Sequence, residues 1–286
     1  MHSEPLQPET TGQATREVTW HLRLAYDGGA FHGWQIQPGQ RTVQGELQDR
    51  LRRLLRAPEL KITGSSRTDA GVHALDQRVS FTAATPEDLD PERLRYSLNR
   101  WLPPDVRVQD AAIAADGFNA RHHNAGKAYT YCLCNGPKPH PLWARFLWAL
   151  PAPIDLAAAA AAAALLEGEH DFASFGVNPK RELESTVCRL HRVEVIPCGD
   201  LVCVSVLGDR FLYRMVRGLV GYLVHVGQHR AAPADVLGVL AARQRSAAAQ
   251  SAPAEGLFLA RVFDHDADRL DYRPRVPPFA WGGLEP

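Results

Sequence analysis

One order of elements runs through this chain twice, and it narrows the fold more than any other feature. Val18, Trp20, Leu22, Leu24 and Tyr26 alternate with polar residues, the two-residue period of a half-buried strand, up to the turn residues Asp27-Gly28-Gly29. Thr42 is placed to cap a helix whose apolar face is Val43, Leu47, Leu51, Leu54 and Leu55. A short strand is expected at 60–63, a loop at 64–76 and a strand at 78–83. Pro91 suits the first turn of a second helix carrying Leu94, Leu98 and Leu102, which Pro103-Pro104 stops. A strand at 106–113 closes the series as β-α-β-β-α-β, the split βαβ pattern.

The second half follows the same order. A strand spans 127–135, and a helix runs from an Asp155 cap to a Gly168 stop. Strands at 186–196 and 201–207 are joined by Pro197-Cys198-Gly199-Asp200. A long helix is expected over 211–226, a shorter one over 233–243 and a last strand over 257–263. The eight alanines from Ala157 to Ala164 are helix formers between stop signals, not a disordered tract. The reading is an α/β protein of the α+β kind with two ferredoxin-like or RRM-like halves, 17–115 and 116–270. Tails are expected at 1–16 and 271–286. Pairing the halves edge to edge hides strand edges, giving one extended, mostly antiparallel sheet with helices on one side. Folds of this type that bind RNA use such an open face.

A length of 286 residues accommodates two such halves, and 45% apolar composition excludes a disordered or fibrous chain. No apolar run reaches the ~18 residues of a membrane span, and the first residues lack a signal peptide's basic-then-apolar order. Thirty-two basic residues balance thirty-two acidic ones, so any nucleic-acid surface must be local. Cys132, Cys134, Cys188, Cys198 and Cys203 are odd in number and contain no C-x-x-C, which reads as reduced thiols in a cytoplasmic protein. No metal site is expected: His225 and His229 lie four apart but lack a third ligand.

Chemistry concentrates in Gly64-Ser65-Ser66-Arg67-Thr68-Asp69-Ala70-Gly71-Val72-His73-Ala74, where small residues surround one guanidinium and one carboxylate. Arg67 and Asp69 are two apart and share a side of an extended loop, where the arginine keeps the carboxylate ionised. Spacing alone makes this a structural ion pair before it makes it a site.

R-T-D-A-G-V-H-A followed by Gln77 and Phe81 resembles the signature of the tRNA pseudouridine synthase A family. The resemblance extends from about Trp20 to Phe263. It includes Tyr26-Asp27-Gly28 with Phe31-His32-Gly33-Trp34-Gln35, Phe118-Asn119-Ala120-Arg121, Tyr129-Thr130-Tyr131, Met215-Val216-Arg217 and Glu255-Gly256-Leu257. One departure is Ser66, where the family usually carries glycine directly before R-T-D.

The resemblance implies isomerisation of uridine to pseudouridine in the tRNA anticodon arm, by a cytoplasmic homodimer without a cofactor. Asp69 would be the catalytic carboxylate, with nucleophilic attack and removal of a sugar proton both open. Arg67 would hold the site as the nucleotide leaves the stack, Tyr129 would stack on the uracil, and Arg217 would pair with Asp69. Arg210, Arg214 and Arg217 are expected on one helical stripe, and Arg121, Lys127 and Arg214 are candidate substrate contacts. The alternatives are a pseudouridine synthase acting on another RNA site and a non-catalytic RNA-binding protein on the same fold.

Overall fold

The computed structural model describes residues 14–177 and 185–274. Its contacts divide the chain into two compact units, one ending at Asn124 and one starting at Ala125. In the first, strand β1 (Thr15–Tyr26) precedes helix α1 (Val43–Leu54), strands β2 (Thr63–Gly64) and β3 (His73–Pro86), helix α2 (Pro91–Trp101) and strand β4 (Val106–Ile113). β1 lies between β4 and β3, antiparallel to both, and β2 adds to β3. Trp20, Leu22 and Leu24 are fully buried on β1, and α1 and α2 bury Leu47, Leu51, Leu94 and Leu98. Thr42 caps α1 by accepting from the Gly45 N–H, and Asp90 caps α2 by accepting from the Arg93 N–H, with Pro91 in its first turn.

Residues 116–124 cluster with this first unit. The Ala120 N–H donates to Ser80 Oγ at 3.0 Å, and Phe118 meets the His21 ring at 4.8 Å. Both partners sit on strands of the first unit, so the segment goes with that unit although strand order alone places it with the next one.

The second unit contains β5 (Gly126–Cys134), β6 (Trp148–Ala149), α3 (Leu156–Ala164), β7 (Gly168–Asp171), β8 (Val187–Cys198) and β9 (Leu201–Gly208). α4 (Met215–Gly227), α5 (Asp235–Ala242), β10 (Leu257–Phe263) and α6 (Asp266–Leu270) complete it. Its strands run β10-β5-β9-β8-β7, all antiparallel, and β6 joins β5 in parallel. α4 is apolar almost all round and correspondingly buried, from Met215 through Val226.

The mixed, mostly antiparallel α+β class is the one expected from the sequence. Several details differ, beginning with the short strand, which is Thr63–Gly64 rather than 60–63, and the shorter helix, which is Asp235–Ala242 rather than 233–243. β3 starts at His73, inside the expected loop, and β7 begins at Gly168, where the expected helix was to stop. β6 had no periodicity to announce it. The long helix starts at Met215 rather than 211, because Arg214 adopts a left-handed φ of 60° and the Tyr213 carbonyl accepts from Val177 instead of a helical donor. The expected tails fall outside the described residues at 1–13 and 275–286; β1 already begins at Thr15. Among the described residues, no helix is long and apolar enough to cross a membrane.

Candidate active site

The loop between β2 and β3 presents its charged groups from a fixed backbone. Exposure alternates along it: Arg67 is exposed, Thr68 buried and Asp69 half-buried. Thr68 is the anchor between the two. Its Oγ1 lies 2.8 Å from the Tyr26 hydroxyl, and its carbonyl accepts from the Trp34 N–H at 3.1 Å. The Asp69 carbonyl accepts from the Val72 N–H at 3.1 Å, which closes a tight turn before β3 begins.

The segment after β1 is built to lie against this loop. Asp27 caps the short turn Gly28–Ala30, accepting from the Gly29 N–H, and its carboxylate is 3.1 Å from His73 Nδ1. The Gly28 N–H donates to that same Nδ1 at 3.0 Å. A Cβ on Gly28 would stand 1.9 Å from the Val72 carbonyl oxygen, so only glycine lets the two backbones meet. The Trp34 ring is buried against Gly64, and the Gly71 N–H donates to the Phe31 carbonyl at 3.3 Å. Asp27 and Trp34 therefore act as turn and core residues that support the loop. Ser66 is not among the residues with positive φ, so serine stands there without backbone strain.

The remaining candidates are distributed as follows. Arg121 is exposed in the first unit, its N–H bonded to Asn119 Oδ1 at 3.0 Å. Lys127 and Tyr129 lie on β5, two residues apart and so on one face. Tyr129 is buried, with its ring edge-on to Phe211 at 5.0 Å. Tyr131, on the same face, is an ordinary core aromatic: its hydroxyl donates to the Pro253 carbonyl at 2.8 Å, and burial pushes that phenol up from its usual range.

Arg217 lies in the first turn of α4, where Nε donates to the Ala252 carbonyl at 2.7 Å. The helical stripe expected for Arg210, Arg214 and Arg217 does not form, since only Arg217 is helical. Arg214 precedes the helix with its guanidinium 5.0 Å from the Tyr213 ring, and Arg210 donates to the Ser185 carbonyl. His73 makes the structural hydrogen bond that its place in the loop allows, while Tyr26 and Thr68 carry no sign of a supporting role in the sequence. Their bonds join positions more than forty residues apart, for which no local spacing gives a signal.

Chemically, the first unit displays a carboxylate and a guanidinium from a loop whose backbone is tied to β1 and to the segment behind it. Such preorganisation suits acid–base or nucleophilic work better than a flexible surface pair would.

Comparison with known proteins agrees on one relationship. A family model described as tRNA pseudouridine synthase matches residues 24–121 and 162–263, which include the loop, Arg121 and α4. The tRNA pseudouridine synthase A of Geobacillus kaustophilus is 39% identical over 243 residues, 85% of this chain and 93% of the relative. That of Moorella thermoacetica is 41% identical over 245 residues, 84% of this chain and 97% of the relative. That of Methylacidiphilum infernorum is 38% identical over 252 residues, covering 88% and 97%.

Proposed function

Because the chain belongs to the tRNA pseudouridine synthase family, an isomerase family, we propose that it converts uridine to pseudouridine in the tRNA anticodon arm. The positions are 38, 39 and 40 in tRNA numbering, as the family resemblance implies, and Asp69 is the catalytic carboxylate. The observation that carries this reading is the anchored loop, which holds Thr68 buried between an exposed Arg67 and a half-buried Asp69.

In this reaction the bond between uracil N1 and C1′ of the sugar breaks, the base turns, and a bond forms between C5 and C1′. The C5 proton is lost and N1 gains one, so substrate and product are isomers and neither oxidant nor external energy is consumed. Asp69 either attacks as a nucleophile or takes a proton from the sugar, and both roles need it ionised. Arg67 holds the site open as the nucleotide leaves the stack. Tyr129 acts on the base and Arg217 on the charge of the carboxylate. Arg121, Lys127 and Arg214 contribute cationic contacts to phosphate. No cofactor is required, and a cytoplasmic homodimer with tRNA across both subunits belongs to the same proposal.

Unmodified tRNA transcripts incubated with the purified protein test the reading. Pseudouridine should form at 38–40 and nowhere else. Product confined to another stem, or to another RNA, would replace the anticodon-arm assignment.

A further inference from the structure

We infer that Gln77 and Tyr26 are positioning residues for this reaction, clamping the loop backbone on either side of Arg67. The inference rests on the catalytic role proposed for Asp69. β2 and β3 pair Thr63 with Ser80 and Gly64 with Val79, and the Ser65 N–H extends the ladder by donating to the Arg78 carbonyl at 2.9 Å. At Ser66 the Gln77 side chain takes the place of a backbone partner. Its Nε2 donates to the Ser66 carbonyl at 2.7 Å. Its Oε1 accepts from the Ser66 N–H at 3.2 Å and from the Ser65 hydroxyl at 2.9 Å.

A primary carboxamide is suited to this, because it offers a donor and an acceptor in one plane, as a peptide group does. Gln77 is 0% exposed, on a stretch of β3 buried on both faces. An apolar side chain would serve the strand's packing better, since a buried amide is costly unless its bonds are made. Here they are made, and all of them go to the two residues before Arg67.

One residue past Arg67, the Tyr26 hydroxyl meets Thr68 Oγ1 at 2.8 Å, both residues being buried. Arg67 is thus spanned by two residues whose backbone positions are set from the strands, and Asp69 follows directly. With Ser66 and Thr68 held, the peptide planes on either side of Arg67 have little freedom to turn. The two charged groups then leave the loop in fixed directions.

The test compares Gln77→Met, which keeps the length and removes every hydrogen bond, with Tyr26→Phe, which keeps the ring and removes only the hydroxyl. Single-turnover rates are measured at saturating tRNA, below each variant's unfolding temperature and with native near-ultraviolet circular dichroism. Gln77→Met should lose about 10–100-fold in rate, the cost of misplacing a reacting group by up to ~1 Å. Tyr26→Phe should lose about tenfold by the same reasoning. Affinity for tRNA, carried by phosphate contacts, should be unchanged in both.

A merely structural role would lower the unfolding temperature and leave the rate of the folded protein at the wild-type value, which overturns the inference. If Gln77→Met does not fold, Tyr26→Phe decides: a wild-type rate overturns the clamp, and a loss at unchanged affinity supports it. A wild-type protein that makes no pseudouridine would refute the proposed function itself, a different result from full activity in either variant.

Discussion

Replacing Gly33 with alanine should slow the chemistry more than it weakens the fold. Gly33 has φ +89°, and a Cβ there would stand 2.7 Å from the Thr68 carbonyl oxygen and 3.1 Å from Ala70 N and Asp69 C. All three are backbone atoms, so no side chain can swing aside. Restoring an ordinary 3.4 Å contact moves the Thr68 carbonyl by about 0.7 Å. Thr68 is tied to Trp34 and Tyr26, so the displacement passes into Asp69. A shift of that size costs about 10–100-fold in rate, and the left-handed backbone adds about 1–2 kcal/mol of destabilisation. Gly39 is the control: φ is +70°, but nothing lies within 4 Å of its Cβ. Gly39→Ala should show a smaller fall in thermal stability, from the left-handed backbone alone, with an unchanged rate. Single-turnover kinetics on tRNA transcripts, with melting curves for both variants, separate the effects. A wild-type rate in Gly33→Ala, or an equal loss in Gly39→Ala, would refute the claim that loop position sets the rate.

Tyr129→Ala should lose about 1–3 kcal/mol of base stacking, whereas Tyr129→Phe keeps the ring and should retain more activity; wild-type rates in both would remove Tyr129 from the reaction. Arg217→Lys should keep part of the rate lost in Arg217→Ala, because charge survives but the planar fork does not, and a wild-type rate in both would make Arg217 a scaffold for Ala252 only. Burial pushes the Cys188 thiol up to about 11 and Cys198 up to about 12, so at pH 8 both stay protonated and the native protein should resist iodoacetamide. These two thiols should be labelled in full only after denaturation, and their fast labelling in the native protein would contradict the raised pKa values. Activity on pre-folded tRNA should survive chelation and dialysis; loss restored only by a transition metal would overturn the cofactor-free mechanism.

The elements most legible in the sequence are those with one wet face or a clear stop. β4, with one exposed face, has the expected bounds, and so does β10 although it is buried along most of its length; α1 and α2 start just after the expected Thr42 cap and at the expected Pro91. β3 was cut short because residues 76–81 are buried on both faces, which erases the alternation that marks a strand. The start of α4 was misplaced because nothing in Phe211-Leu212-Tyr213-Arg214 encodes a left-handed arginine; the bond from Val177 to Tyr213 depends on tertiary structure. The same division holds for the site. Arg67 and Asp69 stand out by spacing and resemblance. The Gln77, Tyr26 and Trp34 contacts that hold their loop join distant segments and become visible only when the strands are aligned.

The central claim is that Asp69 performs the isomerisation. Asp69→Asn keeps the shape of the side chain and removes the charge, and an amide near phosphate has no reason to weaken binding. The decisive measurement is pseudouridine formation at 38–40 in an unmodified tRNA transcript, followed in single turnover with wild type and Asp69→Asn, alongside the dissociation constant of each for the same tRNA. Asp69→Asn should give no detectable product and bind the tRNA with an unchanged dissociation constant. Wild-type turnover by the variant would contradict the catalytic role of Asp69.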